Sequence, residues 1–169
     1  MAEAAEKTLV LDHQQVQRKL ERIAHQLHEQ FFQEEGIVLV GVAPRGAKVA
    51  DRLARLLEAI SDLAVERVDL KLDKDRPLEE PVVLSVELDT LKGRTVLLVD
   101  DVLMSGRTLM YAAAHLVSVP LKQLTTVVLV DRRHRTFPIR ADIVGLTLST
   151  TLREHISVEL GRRDAVYLA

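Results

Sequence analysis

Residues 96–108 read VLLVDDVLMSGRT. The apolar run Val96 to Val99 leads into two acids, Asp100 and Asp101, and then into Leu103-Met104-Ser105-Gly106-Arg107-Thr108 ahead of a helical pattern. Such a continuous apolar run is what a strand buried on both faces requires. In open α/β sheets ligands collect at the carboxyl ends of strands, and that is where the two acids fall. Carboxylates there can accept hydrogen bonds from vicinal sugar hydroxyls. The loop behind them runs into a helix start, so its backbone N–H groups and the helix dipole converge on one anion. Ser105 and Thr108 add hydroxyl donors, while Gly106 permits close backbone approach or a positive φ. A strand that merely caps a helix with two acids needs only fragments of this arrangement. Strand, acids, small-residue turn and helix start in this order point to a sugar-phosphate ligand.

Working outward, Val16, Leu20, Ile23, Leu27 and Phe31 recur every three or four positions, predicting one amphipathic helix over residues 12–35 with Asp12 as its N-cap. Gly36 stops it, and Ile37 to Val42 repeats the composition of a doubly buried strand. Pro44-Arg45-Gly46 then turns the chain into a second helix, Ala47 to Ala59, with Val49, Leu53, Leu56 and Leu57 as its stripe. Val68, Leu70 and Leu72 alternate with Asp69 and Lys71 as a half-buried strand, and the charged segment Asp73–Pro81 is expected to be a mobile surface loop. A short apolar run at Val82–Val86, a strand at Thr95–Val99, a helix near Arg107–Val117 and a strand at Leu124–Val130 follow. The tail adds strands near Ile143–Leu148, Ile156–Leu160 and Ala165–Leu168, with a turn at Gly161–Asp164 between the last two. Strand–helix alternation implies right-handed crossovers and an α/β fold with a parallel sheet.

The bulk numbers bound the reading. A chain of 169 residues fits one domain, residues 1–169, and is long enough to bury a full core. Hydrophobic residues at 47% and charged residues at 28% exclude the disordered and fibrous classes. With no cysteine, neither a disulfide framework, a thiolate metal site nor a cysteine nucleophile is available. A net charge of -2 argues against a generally basic nucleic-acid binder. The start MAEAAEKTLV lacks the form of a signal peptide, and no stretch approaches a membrane span, so a cytoplasmic protein without a membrane partner is expected.

VLLVDDVLMSGRT resembles the phosphoribosyl pyrophosphate signature of type I phosphoribosyltransferases. More narrowly, LERIAHQL at 20–27, VLVGVAPRGAKVADRLA at 38–54 and VLVDRRHRTFPIRADIVG at 128–145 resemble the bifunctional pyrimidine-operon attenuator/uracil phosphoribosyltransferase family, over nearly the whole chain. The resemblance implies a type I phosphoribosyltransferase fold, a mostly parallel central sheet flanked by helices with a small hood at the C-terminal side. It also implies a reaction in which uracil attacks C1 of the donor and expels pyrophosphate, giving uridine monophosphate. Mg2+ would be held mainly by the substrate, with no direct protein ligand.

Carried onto this chain, the resemblance gives Asp100 and Asp101 the ribose hydroxyls and Leu103 to Thr108 the 5′-phosphate. Ala43-Pro44-Arg45-Gly46 becomes the pyrophosphate loop, with Arg45 stabilising the leaving group through a planar, bidentate guanidinium. Related enzymes often hold this loop in a cis peptide, and proline lowers the cis cost from ~3 to ~1 kcal/mol, so a cis Ala43–Pro44 bond is predicted. Base contact falls near Asp131, Arg132 and Ile139; a solvated arginine run is the competing account of that segment. His134 reads as a surface histidine rather than a general base. A homo-oligomer, dimer or higher, is implied.

Two departures bear on function. Where the family has a Tyr-Arg-Asp-Asp run in its closing loop, this chain has Leu72-Asp73-Lys74-Asp75, with Lys74 as a partial substitute. An RNA-binding face is implied at Arg22, His25 and Arg140, but Glu21 stands where threonine is usual and Leu146 where lysine is common. A carboxylate beside phosphates repels, and each lost phosphate contact reduces counterion release, so RNA is a demoted partner.

Overall fold

The computed structural model describes residues 6–151 and 153–169. In chain order the elements are β1 (Thr8–Leu11), α1 (His13–Phe31), β2 (Gly36–Val42), α2 (Arg45–Ile60), β3 (Ala64–Lys71), β4 (Val83–Leu84), β5 (Thr95–Leu103), α3 (Arg107–Leu116), β6 (Gln123–Asp131), β7 (Ile143–Thr147), β8 (Ile156–Glu159) and β9 (Ala165–Leu168). Six strands form the main sheet in the order β4-β3-β2-β5-β6-β7, parallel throughout except for β4. β1, β9 and β8 make a separate antiparallel sheet, the hood.

The doubly buried strands explain the layering. Along β5, Leu97 and Val99 face one core while Val96 and Leu98 face the other, and Ile37/Leu39 and Val38/Val40 divide β2 in the same way. The first core is closed by α1, α2 and the hood residues Ile156, Val158 and Val166. The second is closed by Leu109, Ala112 and Leu116 of α3. Both faces are thereby covered, as parallel strands require.

Asp12 caps α1 as predicted: its carboxylate accepts from the Gln15 backbone amide at 2.8 Å, and the Asp12 amide donates to the Gln15 side-chain oxygen at 2.9 Å. Several boundaries move. α1 ends at Phe31 rather than 35, because the chain turns through the exposed Phe32 before Gly36 opens β2. α2 begins at Arg45 and β3 at Ala64, both earlier than the apolar pattern suggests. Of Val82–Val86 only Val83 and Leu84 pair, antiparallel to β3 at the sheet edge.

Two corrections matter for function. β5 runs on to Leu103 because its pairing to β6 continues through Asp100↔Val128 and Leu103↔Asp131, so both acids lie within the strand. The hood also takes in a strand not expected from the sequence, β1, which pairs with β9, Thr8 opposite Leu168. No element was expected at Thr8–Leu11, since four residues show too little alternation to stand out.

Candidate active site

β2 and β5 are neighbours, but the chain leaves them in opposite directions, β2 toward β3 and β5 toward β6. The loops at their carboxyl ends therefore part and open a crevice. A cleft of about 290 Å3 occupies it. Its walls are Arg45 from the loop after β2, Asp100 to Gly106 and Thr108 from the end of β5 and the loop beyond, Lys74 from the 73–81 segment, and Ile156 from the hood. Ile156 comes from the hood, and the charged groups Arg45, Lys74, Asp100 and Asp101 share the lining with Val102, Leu103, Met104, Leu109 and Val128.

Asp100 and Asp101 are 3% and 6% exposed. The Asp101 amide donates to Asp100 Oδ1 at 2.9 Å. Burial, and then the adjacent Asp101 carboxylate, push the Asp100 carboxyl well above its ordinary value, while Lys74 pulls the other way. Among the described residues no cation is hydrogen-bonded to or ion-paired with either carboxylate, which leaves the pair open to a ligand that brings hydroxyl donors or a metal.

Two glycines bring backbone against the cleft. Gly106 sits at φ 86°, and a methyl group on it would lie 2.8 Å from Ile139 Cγ2 and 3.1 Å from the Phe137 carbonyl oxygen. A methyl on Gly46 would lie 2.7 Å from the Val99 carbonyl oxygen and 2.9 Å from an Asp100 carboxylate oxygen. The loop after β2 is therefore pressed onto the end of β5, and its Ala43–Pro44 bond is cis, as predicted.

The predicted phosphate loop splits into residues that face the cleft and one that does not. Leu103, Met104, Ser105, Gly106 and Thr108 line it, whereas the Arg107 side chain borders a shallow hollow with Arg76, Leu78 and Tyr111. The Arg107 amide donates to Ser105 Oγ at 3.2 Å, so only the backbone of Arg107 belongs to the cradle.

Asp131, Arg132 and Ile139 do not line the cleft. Arg132 donates from Nε to Thr150 Oγ1 at 2.6 Å and from Nη2 to the Thr151 carbonyl at 2.9 Å, which turns its head toward 150–151. Asp131 Oδ1 accepts from Arg135 Nη2 at 2.5 Å and from the Arg133 amide at 2.9 Å. His134 is bonded through Nε2 to the Thr150 carbonyl. Sequence reasoning missed Arg135, which also donates to the Met104 carbonyl at 3.1 Å and the Ile139 carbonyl at 3.0 Å. The Thr136 and Phe137 amides both donate to the Ser105 carbonyl, at 2.9 and 3.0 Å. The 131–139 segment is thus fastened along the back of the phosphate loop.

Arg45 borders a second hollow of about 550 Å3 with Lys7, Lys48, Glu159 and Arg163. Lys7 pairs with Glu159 at 3.3 Å, and among the described residues no carboxylate pairs with Arg45, Lys48 or Arg163. Lys48 follows Arg45 by one helical turn, a spacing that could have flagged it. Arg163 arrives only through the fold of the hood.

The three residues of the expected RNA face are not equivalent. Arg22 Nη2 donates to the Val144 and Gly145 carbonyls at 2.8 and 2.7 Å, capping the exposed edge strand β7. His25 is exposed, and the Arg140 side chain is 89% exposed with Asp142 at 3.8 Å.

This combination of a phosphate-cradling turn, an acidic pair and a hooded crevice at the switch point defines a phosphoribosyltransferase fold. Residues 8–161 match the phosphoribosyl transferase domain family, to which the chain belongs. Within it the chain is similar to proteins named bifunctional protein PyrR. That of Haemophilus ducreyi is 35% identical, with 94% of this chain and 92% of the relative aligned. That of Streptomyces coelicolor is 39% identical, over 92% of this chain and 84% of the relative. Among solved structures, the hypoxanthine phosphoribosyltransferase of Trypanosoma cruzi superposes with a TM-score of 0.75 at 18% identity, covering 88% of this chain and 84% of that one. The corresponding Staphylococcus aureus protein gives 0.72 at 21%, covering 86% and 80%. At these identities the structural likeness speaks to the fold alone. No helix among the described residues is long and apolar enough to cross a membrane.

Proposed function

We propose that this protein transfers the phosphoribosyl group of phosphoribosyl pyrophosphate to a nucleobase, uracil, releasing pyrophosphate and forming uridine monophosphate. The observation that carries the reading is the convergence of Asp100, Asp101, Ser105, Gly106 and Thr108 on one cleft that Arg45 closes from the other side. The 5′-phosphate rests on the backbone N–H groups and hydroxyls of the Ser105–Thr108 turn. Asp100 and Asp101 accept hydrogen bonds from the ribose hydroxyls. Arg45 meets the pyrophosphate, and the unpaired cations Lys48 and Arg163 extend that positive wall outward. The base slides beneath Ile156, which excludes water from the reacting carbon. Asp131 and Ile139 shape the base end through the backbone that Arg135 fixes, with Arg132 behind them.

A divalent cation fits this site. Two adjacent buried carboxylates with no cation bonded to them among the described residues suit Mg2+, which takes one or two carboxylates and completes its shell with substrate oxygens and water. Asp100 and Asp101 would lie beside it, and when bound it supplies neutralisation of the pyrophosphate charge. Holding the donor in place and stabilising separated charge account for most of the catalysis such a cleft supplies.

Measuring uridine monophosphate formation with Mg2+ tests the reading. Donor binding without turnover on uracil or any other nucleobase would sink the catalytic claim and leave a donor or nucleotide sensor.

The bifunctional naming of the relatives supports a second activity, RNA-dependent control of pyrimidine genes. On this chain such control would draw on the exposed His25 and Arg140, whereas Arg22, also exposed, already has its Nη2 bonded to β7. A salt-dependent shift of a leader RNA that Arg140→Ala weakens supports it. A homo-oligomer completes the reading, to be measured by sedimentation.

A further inference from the structure

The hood turn between β8 and β9 holds a fully buried carboxylate, Asp164, outside the cleft. Both of its oxygens are saturated. Arg52 reaches Oδ2 from Nη1 at 2.6 Å and Oδ1 from Nη2 at 3.1 Å. Gln17 donates to Oδ2 at 2.5 Å and the Gly161 amide to Oδ1 at 2.9 Å. The Asp164 amide donates to His13 Nδ1 at 2.9 Å, and Arg52 Nη2 also reaches the Gly161 carbonyl at 3.0 Å. The turn is therefore tied at once to the start of α1 and to α2.

A buried bidentate ion pair is a weak source of stability, because well-packed apolar groups hold a fold as well or better. What such a pair does supply is fixed geometry. The geometry here has a specific object. Gly161 and Arg163, just before Asp164, wall the basic hollow, while Arg45 and Lys48 wall it from the first turn of α2. Arg52 stands one turn beyond Lys48, so one helix carries Arg45 and Lys48 of the hollow and the side chain that places Arg163.

We propose that Arg52 and Asp164 are positioning residues for the pyrophosphate end of the donor: they fix the hood turn so that Arg163 faces Arg45 and Lys48 across the hollow. This rests on the transferase reading above. Neither residue touches the ligand; both act through Arg163.

The test is a double-mutant cycle on pyrophosphate affinity, measured by calorimetry on the full chain with Mg2+. Arg52→Lys keeps the charge but loses the fork, and Arg163→Gln removes the cation; each is expected to weaken pyrophosphate about tenfold, the scale of one lost charge-assisted hydrogen bond. In the double variant the affinity is expected to stay within about twofold of Arg163→Gln alone, since a residue acting through Arg163 has nothing left to place. In turnover, KM for the donor rises in Arg52→Lys while kcat and KM for uracil hold within about twofold. Asp164→Asn supplies a second cycle if Arg52→Lys loses its cooperative thermal transition. Additive effects, or a lowered melting temperature with unchanged pyrophosphate affinity, overturn the positioning role and leave the transferase reading standing. A native chain that binds neither the donor nor pyrophosphate removes the transferase reading and this role with it.

Discussion

The molecule holds two buried acidic sites that physics treats in opposite ways. At the end of β5, Asp100 receives the amide of Asp101 and faces a second carboxylate, and burial lifts its carboxyl well above the ordinary range. In the hood turn, Asp164 is just as deeply buried, yet Arg52, Gln17 and a backbone amide use up its oxygens. Burial alone therefore does not mark a functional acid. The difference is whether the protein supplies the partners or leaves them to a ligand.

Substitution in the cleft should give the largest effects and the least change in stability. Asp101→Asn is expected to lower kcat/KM for uridine monophosphate formation on the order of a thousandfold, comparable to removing a charge-stabilising group from a closed site. Its urea midpoint should hold or rise, because one of two like charges is gone. A loss of stability as large as the loss of activity would erase the contrast with Asp164.

Gly46→Ala should come next, since its methyl would meet the Val99 carbonyl and the Asp100 carboxylate. A stability loss of about 1–3 kcal/mol is expected together with weakened donor binding, read from a denaturant titration and a donor KM. In the hood the order reverses. Asp164→Ala leaves the guanidinium of Arg52 unpaired and should cost roughly 2–3 kcal/mol in the same titration, less than a fully buried pair because Arg52 keeps some contact with water.

The raised carboxyl of Asp100 also carries a pH signature. The folded state holds the proton where an unfolded aspartate has lost it, so stability falls as pH rises from about 4, the ordinary aspartate range, through the raised folded value. Asp100→Asn should remove that decline, so the melting-temperature gap between the two proteins widens from pH 4 toward neutrality. Identical slopes would show that Asp100 ionises normally. The smallest effect belongs to Arg22→Ala: about 1 kcal/mol of stability from two hydrogen bonds to β7, with phosphoribosyl transfer unchanged.

The contrast also shows what a sequence makes legible. The sheet, the three helices and the acid-to-glycine turn could be read because each is local: a period, a cap or a run of a dozen neighbouring residues. Asp100, Ser105, Gly106 and Thr108 fell where expected for that reason. Arg45 was placed by resemblance, and the hollow it shares with Lys48 follows helical spacing. Arg132 and Arg22 are likewise assigned by resemblance, and each is bonded to carbonyl or hydroxyl groups that the local sequence does not reveal. Arg135 and Arg163 could not be read at all, since a charged run looks the same whether it is solvated or clamped. The small strand β1 was missed because only pairing with β9 makes it a strand.

That pairing bears on how the protein is made. Thr8 lies opposite Leu168, so the hood joins segments far apart in sequence, with the whole main sheet between them. While translation proceeds, β1 has no partner and α1 has only part of its core, even after the whole phosphate loop has been synthesised. Closing so long a loop is slow compared with forming helices or neighbouring strands. Ligand competence should therefore come after the main sheet has formed, and deletion of residues 8–11 should leave a protein with an intact main sheet and a donor cradle that stays open to water.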